Sequence, residues 1–347
     1  MGPRFVAIGA ILLAIAMVLP AARPAGAEEP AAGAAAAESA AVTPTPTVPA
    51  DWTEVAVIPW GTGPGKLVQE MDSKDERQTY QGPTRFLVFP DGGFAVLDVL
   101  GNAVEEFGKD GRHVRELTFP ANDLHDAETM TIDMAATVAG EYWLLSLGQQ
   151  AVLHLKAGAA LQSYPLSGLS KDALLNGMAY DGQGGLYILD SNDNSVIGMT
   201  TAGKVQPRMA NDVAQTLTVD GKGRFYGLAL ANTSDARHWK LVRWTPPKKV
   251  ETLGQFETPL EANRIDLFGL DAAQNIYACL ASGAIEVPTT VEIVRFGPDG
   301  KINGRAPAPL DPTRLHFNHG KAVAPDGTLF AVMVSDKGLV VLKHPRL

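Results

Sequence analysis

The 347-residue sequence predicts an all-β fold: a six-bladed β-propeller of four-stranded antiparallel blades, closed into a ring by an N-terminal strand. Three observations predict it. The first is a repeated unit of apolar run, Asp/Gly turn, apolar-aromatic run, polar turn and third run. Copies begin at Leu87, Met178, Leu217, Phe268 and Ala322, with a divergent one at Met130. The turn markers Asp91, Asp133, Asp181, Asp220, Asp271 and Asp326 recur about every 40 to 55 residues, the spacing of propeller blades. The second is local chemistry. The runs are short, β-branched and aromatic, and bounded by Asp, Gly and Asn, with no sustained helical period after the first 50 residues. The third is an imbalance between the two ends. The last copy runs out after three strands, at His344, whereas "TEVAVIP" (Thr53 to Pro59) belongs to no copy. That orphan can supply the missing outer strand of the last blade and remove two exposed edges.

Taken in order, residues 1–27 read as a signal peptide. Arg4 precedes an apolar run from Phe5 to Leu19, and Ala25-Gly26-Ala27 forms a small-residue cleavage site. The run is short for a membrane span, no second one follows, and no cysteine near the cleavage site offers a lipid anchor. The mature chain is therefore expected in the periplasm or outside the cell. Residues 28–50, "EEPAAGAAAAESAAVTPTPTVPA", carry almost no large apolar side chain and read as an Ala/Pro-rich disordered linker. Residues 51–347 form the propeller. Within it, Asp caps each turn through its carboxylate and Gly accepts positive φ, so the Pro-Asp-Gly turns at Pro90, Pro298 and Pro325 are structural. Fourth strands are visible at His113 to Phe119 and Val250 to Phe256.

Composition excludes several classes. A formal charge of −9 and the lack of Lys/Arg clusters argue against nucleic acid and anionic membranes. The single Cys279, inside an apolar run, excludes an internal disulfide and reads as a buried thiol. No nucleophile elbow, zinc-protease helix, P-loop or dinucleotide fingerprint is present. The Gly-rich Gly61 to Gly65 leads into a charged segment instead of a helix, so it is not a phosphate loop. Trp60 before it is expected to plug an apolar gap near the closing blade, and residues 66–80 form a polar excursion over one face. A monomer is expected.

Counting back from each turn to the start of the first run gives one polar residue per blade: Thr84, Glu128, Asn176, Gln215, Asp266 and His319. First strands of a propeller begin around its axis, so these residues form a candidate axial ring for a small polar ligand. No cofactor is dictated. A divalent cation such as calcium is the one the ring could hold, through Glu128, Asn176 and Asp266.

The copies resemble NHL repeats, on Asp98 to Phe107 followed by Asp110-Gly111, and on Asp190 to Val196. Asn176-Gly177-Met178-Ala179-Tyr180 is similar to a motif of gluconolactonase/regucalcin-like propellers, whose Asn reaches an axial divalent metal. Phe317 to Lys321 is similar to a second Asn-bearing motif there. Where that family carries a Glu before Gly-Pro, this chain has Gln81, and Ala214-Gln215-Thr216 stands where it carries an acid. The NHL resemblance implies an exported, non-catalytic module that binds a protein or small ligand. The narrower one implies a metal-dependent, gluconolactonase-like hydrolase. The two missing carboxylates favour the first.

Overall fold

The structure is a computed structural model describing residues 47–71, 80–120, 131–170, 173–210, 217–231, 237–247, 249–258, 262–283, 288–310 and 320–347. The segments expected from the sequence to be a signal peptide (1–27) and most of the expected linker (28–50) lie outside these residues. Six four-stranded antiparallel sheets account for nearly every strand. Blade 1 is β4 (Arg85–Val88), β5 (Phe94–Asp98), β6 (Ala103–Phe107) and β7 (His113–Thr118). Blade 2 is β8 (Thr131–Val138), β9 (Glu141–Ser146), β10 (Ala151–Lys156) and β11 (Gln162–Pro165). Blade 3 is β12 (Leu175–Tyr180), β13 (Gly185–Asp190), β14 (Ser195–Thr200) and β15 (Met209–Ala210). Blade 4 is β16 (Thr218–Val219), β17 (Phe225–Leu230), β18 (His238–Thr245) and β19 (Lys249–Glu257). Blade 5 is β20 (Ala262–Leu270), β21 (Ile276–Gly283), β22 (Pro288–Phe296) and β23 (Ile302–Pro307). Blade 6 takes β24 (Lys321–Val323), β25 (Leu329–Ser335) and β26 (Gly338–His344) from the C-terminal side and β1 (Thr53–Pro59) from the N-terminal side, in the order β1-β26-β25-β24. A two-stranded ribbon, β2 (Glu70–Met71) with β3 (Tyr80–Gln81), precedes blade 1.

The core lies between blades, not inside them. In β5, Phe94 and Val96 face blade 6 while Ala95 and Leu97 face blade 2, the period of two that a strand buried on both sides requires. That double burial is why the second strands read as nearly unbroken apolar runs. Each of the six seams has its own cluster, including Trp143 with Met178 between blades 2 and 3, and Phe296 with Tyr226 between blades 4 and 5. Phe86 and Phe94 meet Phe330 and Leu339 across the seam between blades 6 and 1. The first strands of successive blades lie side by side all the way round, with β24 against β4.

Ile58 of β1 is buried in that last seam, and Pro59 and Ile58 pair with Gly338 and Leu339. Gly111, at φ +76°, faces Ala56 of β1 so closely that a Cβ there would collide with it. Trp60 packs on the same cluster and donates its indole N–H to Ser335 O at 2.7 Å. Leu67 is fully buried there, so the start of the 66–80 excursion is core instead of surface. Ahead of β1, Trp52 donates to Pro307 O, and Thr47 exchanges backbone hydrogen bonds with Leu310, so contact with the ring begins inside the Thr-Pro spacer.

The turn chemistry follows local physics with one exception. Asp181 Oδ1 accepts from Gln183 N and Gly185 N, Asp220 Oδ1 from Lys222 N and Arg224 N, and Asp271 Oδ1 from Asn275 N. Their second oxygens take the hydroxyls of Tyr187, Tyr226 and Tyr277, six residues on in each case. Asp133 is the exception, and its reading as a turn marker is corrected. It lies within β8, and the hairpin of blade 2 turns at Ala139-Gly140, where Gly140 takes φ +81° without an Asp.

Candidate functional site

Because each first strand starts near the axis, pairing register decides which residues share a level there. Arg85 pairs opposite Leu97, Asp133 opposite Leu145, Gly177 opposite Leu189 and Asp266 opposite Cys279. These four hold one level in blades 1, 2, 3 and 5. In blade 6 the level falls at Gly320, whose carbonyl accepts from Val332 N, just before Lys321. Of the sequence-derived ring, Thr84, Asn176 and Asp266 fall at or beside this level. Glu128, Gln215 and His319 lie outside the described residues.

Sequence reasoning missed two residues here, and they form the best-defined contact. Asp133 Oδ1 accepts from Met134 N at 2.8 Å and Oδ2 from Met178 N of blade 3 at 2.7 Å. Arg85 of blade 1 places Nε 3.3 Å from Asp133 Oδ1, with side-chain exposures of 20% and 2%. One buried carboxylate therefore holds three consecutive blades at the axis. The only available sequence signal was a lone charge opening the apolar run "RFLVFP".

Around this hub the ring is mixed in character. Asn176 is exposed and donates its amide N–H to Ser191 Oγ within blade 3. Asp266 and Lys321 are half-buried, and among the described residues no ion pair involves Lys321. No three His, Cys, Asp or Glu side chains among the described residues converge as a metal would require. The described polar groups at this level are the Asp133 carboxylate, bonded at both oxygens, the Asp266 carboxylate, one amide and two cations.

A second polar cluster lies in the seam between blades 6 and 1. Asp98 and Glu105, both buried, clasp the segment after Trp60. Val68 N donates to Asp98 Oδ2 at 2.8 Å, and Gly65 N donates to Glu105 Oε2, which also meets His113 Nε2 at 2.7 Å. Gly65 must be glycine, with φ +75° and the His113 side chain 3.0 Å from where a Cβ would stand. The Gly-rich stretch is thus a wedge and not a phosphate loop. Burial pushes the carboxyl of Asp98 up to about 6 and that of Glu105 up to about 7, outweighing the hydrogen bonds that favour the charged forms.

The folded chain therefore holds protons that the unfolded chain releases. The stability these two groups contribute is complete below about pH 4 and falls as pH rises to about 7, by about 3 kcal/mol for a two-unit shift such as that of Asp98. Melting curves from pH 4 to 8 should show a smaller decline for Asp98→Asn than for the wild type, whatever the variant's absolute stability. Parallel profiles would show that Asp98 ionises normally in the fold.

Strand order and register define the chain as a six-bladed β-propeller with a polar axial mouth. No protein-family profile matches the sequence, and no characterised protein matches it. Among solved structures, the chain is similar to virginiamycin B lyase from Staphylococcus aureus, with 14% identity, 80% of this chain and 87% of that one covered, and a TM-score of 0.48. It is similar to regucalcin, a calcium-binding protein from Agrobacterium tumefaciens, with 14% identity, 76% and 90% covered, and a TM-score of 0.48. A putative gluconolactonase is similar at 14% identity, 86% and 93% covered, and a TM-score of 0.49.

Proposed function

We propose that this protein is an exported binding module: a non-catalytic propeller scaffold that meets a small polar ligand or a protein partner at its axial mouth. The observation supporting this reading is the state of Asp133. The buried acid at the axial level is spent on two backbone N–H groups and a guanidinium, so its lone pairs hold blades together instead of facing a ligand. The other polar side chains at this level, Arg85, Asn176, Asp266 and Lys321, are a mixture of donors and acceptors suited to hydrogen-bonding a polar molecule.

A thermal-shift screen of small polar compounds against residues 28–347 tests this reading. A ligand at a hundredfold excess over Kd stabilises the fold by about 2.7 kcal/mol, and in a domain this large that raises Tm by roughly 5 to 10 °C. The rise should be absent in an Asn176→Ala, Asp266→Asn variant. Calcium-dependent hydrolysis of a sugar lactone by the wild type, lost in the same variant, would overturn the scaffold reading in favour of a metal-dependent hydrolase.

A further inference from the structure

We propose that the blade 1 side of the axial mouth is a subsite for a carboxylate group, with the Arg85 guanidinium as its anchor. This inference rests on the binding reading above and adds to it the chemistry of the ligand.

The Nε of Arg85 is buried and 3.3 Å from Asp133 Oδ1, yet the N–H is not directed along that contact and makes no hydrogen bond among the described residues. Each oxygen of Asp133 accepts one backbone N–H, from Met134 and Met178, and the Arg85 Nε contact is held by charge more than by a directed bond. The Arg85 side chain is 20% exposed, and its terminal nitrogens have no hydrogen-bond partner among the described residues. A positively charged, planar fork is thus held from behind by a buried carboxylate, with its terminal nitrogens unpartnered among the described residues.

The neighbours support an anion at this point. Lys321 opens β24, the first strand adjacent to β4, and no carboxylate pairs with it among the described residues. Thr84 Oγ1, next to Arg85 in the chain, is a further buried polar atom without a partner among the described residues. Of the described acids of the ring, Asp133 is the countercharge behind Arg85, and Asp266 belongs to blade 5, beyond β24.

Two parallel N–H groups match the two oxygens of a carboxylate better than they match a spherical ion. The chain's formal charge of −9 disfavours polyanions, which leaves a small organic acid as the fitting occupant.

The test uses residues 28–347 with sodium acetate and sodium glycolate as probes, and with chloride and inorganic phosphate as controls at matched ionic strength. Arg85 Nε–Hε is followed by NMR and melting by thermal shift. The carboxylates should move the Arg85 resonance and raise Tm in a saturable way. Arg85→Lys keeps the countercharge of Asp133 but loses the fork, and should weaken binding about tenfold. Lys321→Gln should weaken it less and provides an independent reading if Arg85→Lys fails to fold. Equal responses to chloride, phosphate and carboxylates, meaning an adventitious ion only, would overturn the subsite. So would carboxylate binding that neither variant changes. A ligand that depends on Asn176 and Asp266 but ignores Arg85→Lys would leave the binding module standing and refute this subsite alone.

Discussion

Deleting residues 51–60 is expected to unfold the propeller, or to lower its melting temperature by at least about 15 °C. The deletion removes three side chains set in the closing blade and its seams: Trp52 and Ile58, both buried, and Trp60, which packs on the same cluster as Ile58. Losing a buried apolar side chain of this size costs about 1.5 to 3 kcal/mol each. The sum approaches the whole stability of an ordinary domain, about 5 to 15 kcal/mol. The deletion also strips β26 of its partner from Thr53 to Pro59, leaving an unpaired edge that invites aggregation. A ring differs from a linear array here, because opening one seam frees the first and last blades together. Circular dichroism melts of the deleted and intact chains decide it. Melting within about 2 °C of the intact protein would mean that closure of the ring does not depend on this strand.

How much of this was legible in the sequence follows the range of each interaction. Asp181, Asp220 and Asp271 bind N–H groups two to four residues away, so their turns, and hence the blades, could be read from spacing alone. Asn102 and Asn194, at φ 53° and 45°, sit in polar turns of the same local kind, closed by Asp98 and Asp190. Asn176 and Asp266 were placed near the axis for the same reason, since a turn fixes where its strand begins. Asp133 carries the same letter in the repeat but takes its decisive bond from Met178, 45 residues on, which no local pattern reveals. Glu105 and Glu106 were hidden likewise. Both acids of "AVEEF" are buried. Glu105 is satisfied by Gly65, 40 residues back, and Glu106 by Tyr142, 36 residues ahead. The Gly-rich wedge was recognised as no phosphate loop, but its buried Leu67 was concealed inside a charged stretch.

Asp133 carries the second large effect, and it separates a scaffold from a catalytic centre. If it staples blades 1, 2 and 3, Asp133→Ala leaves Met134 N and Met178 N without an acceptor and Arg85 without its countercharge. Breaking a buried pair of this kind costs about 3 to 5 kcal/mol, which in a domain of this size lowers Tm by roughly 5 to 10 °C. Asp133→Asn keeps one acceptor oxygen and should fall between the variant and the wild type. Hydrogen exchange at the Met178 amide should accelerate in step with the loss of Tm. The most direct measurement is therefore the melting temperature of Asp133→Asn and Asp133→Ala, taken together with Met178 amide exchange and ligand response. The expected result is a graded loss of stability with faster exchange at Met178. Unchanged melting and exchange, with ligand response or a metal-dependent activity abolished, would contradict it and make Asp133 a functional group of the mouth instead of its staple.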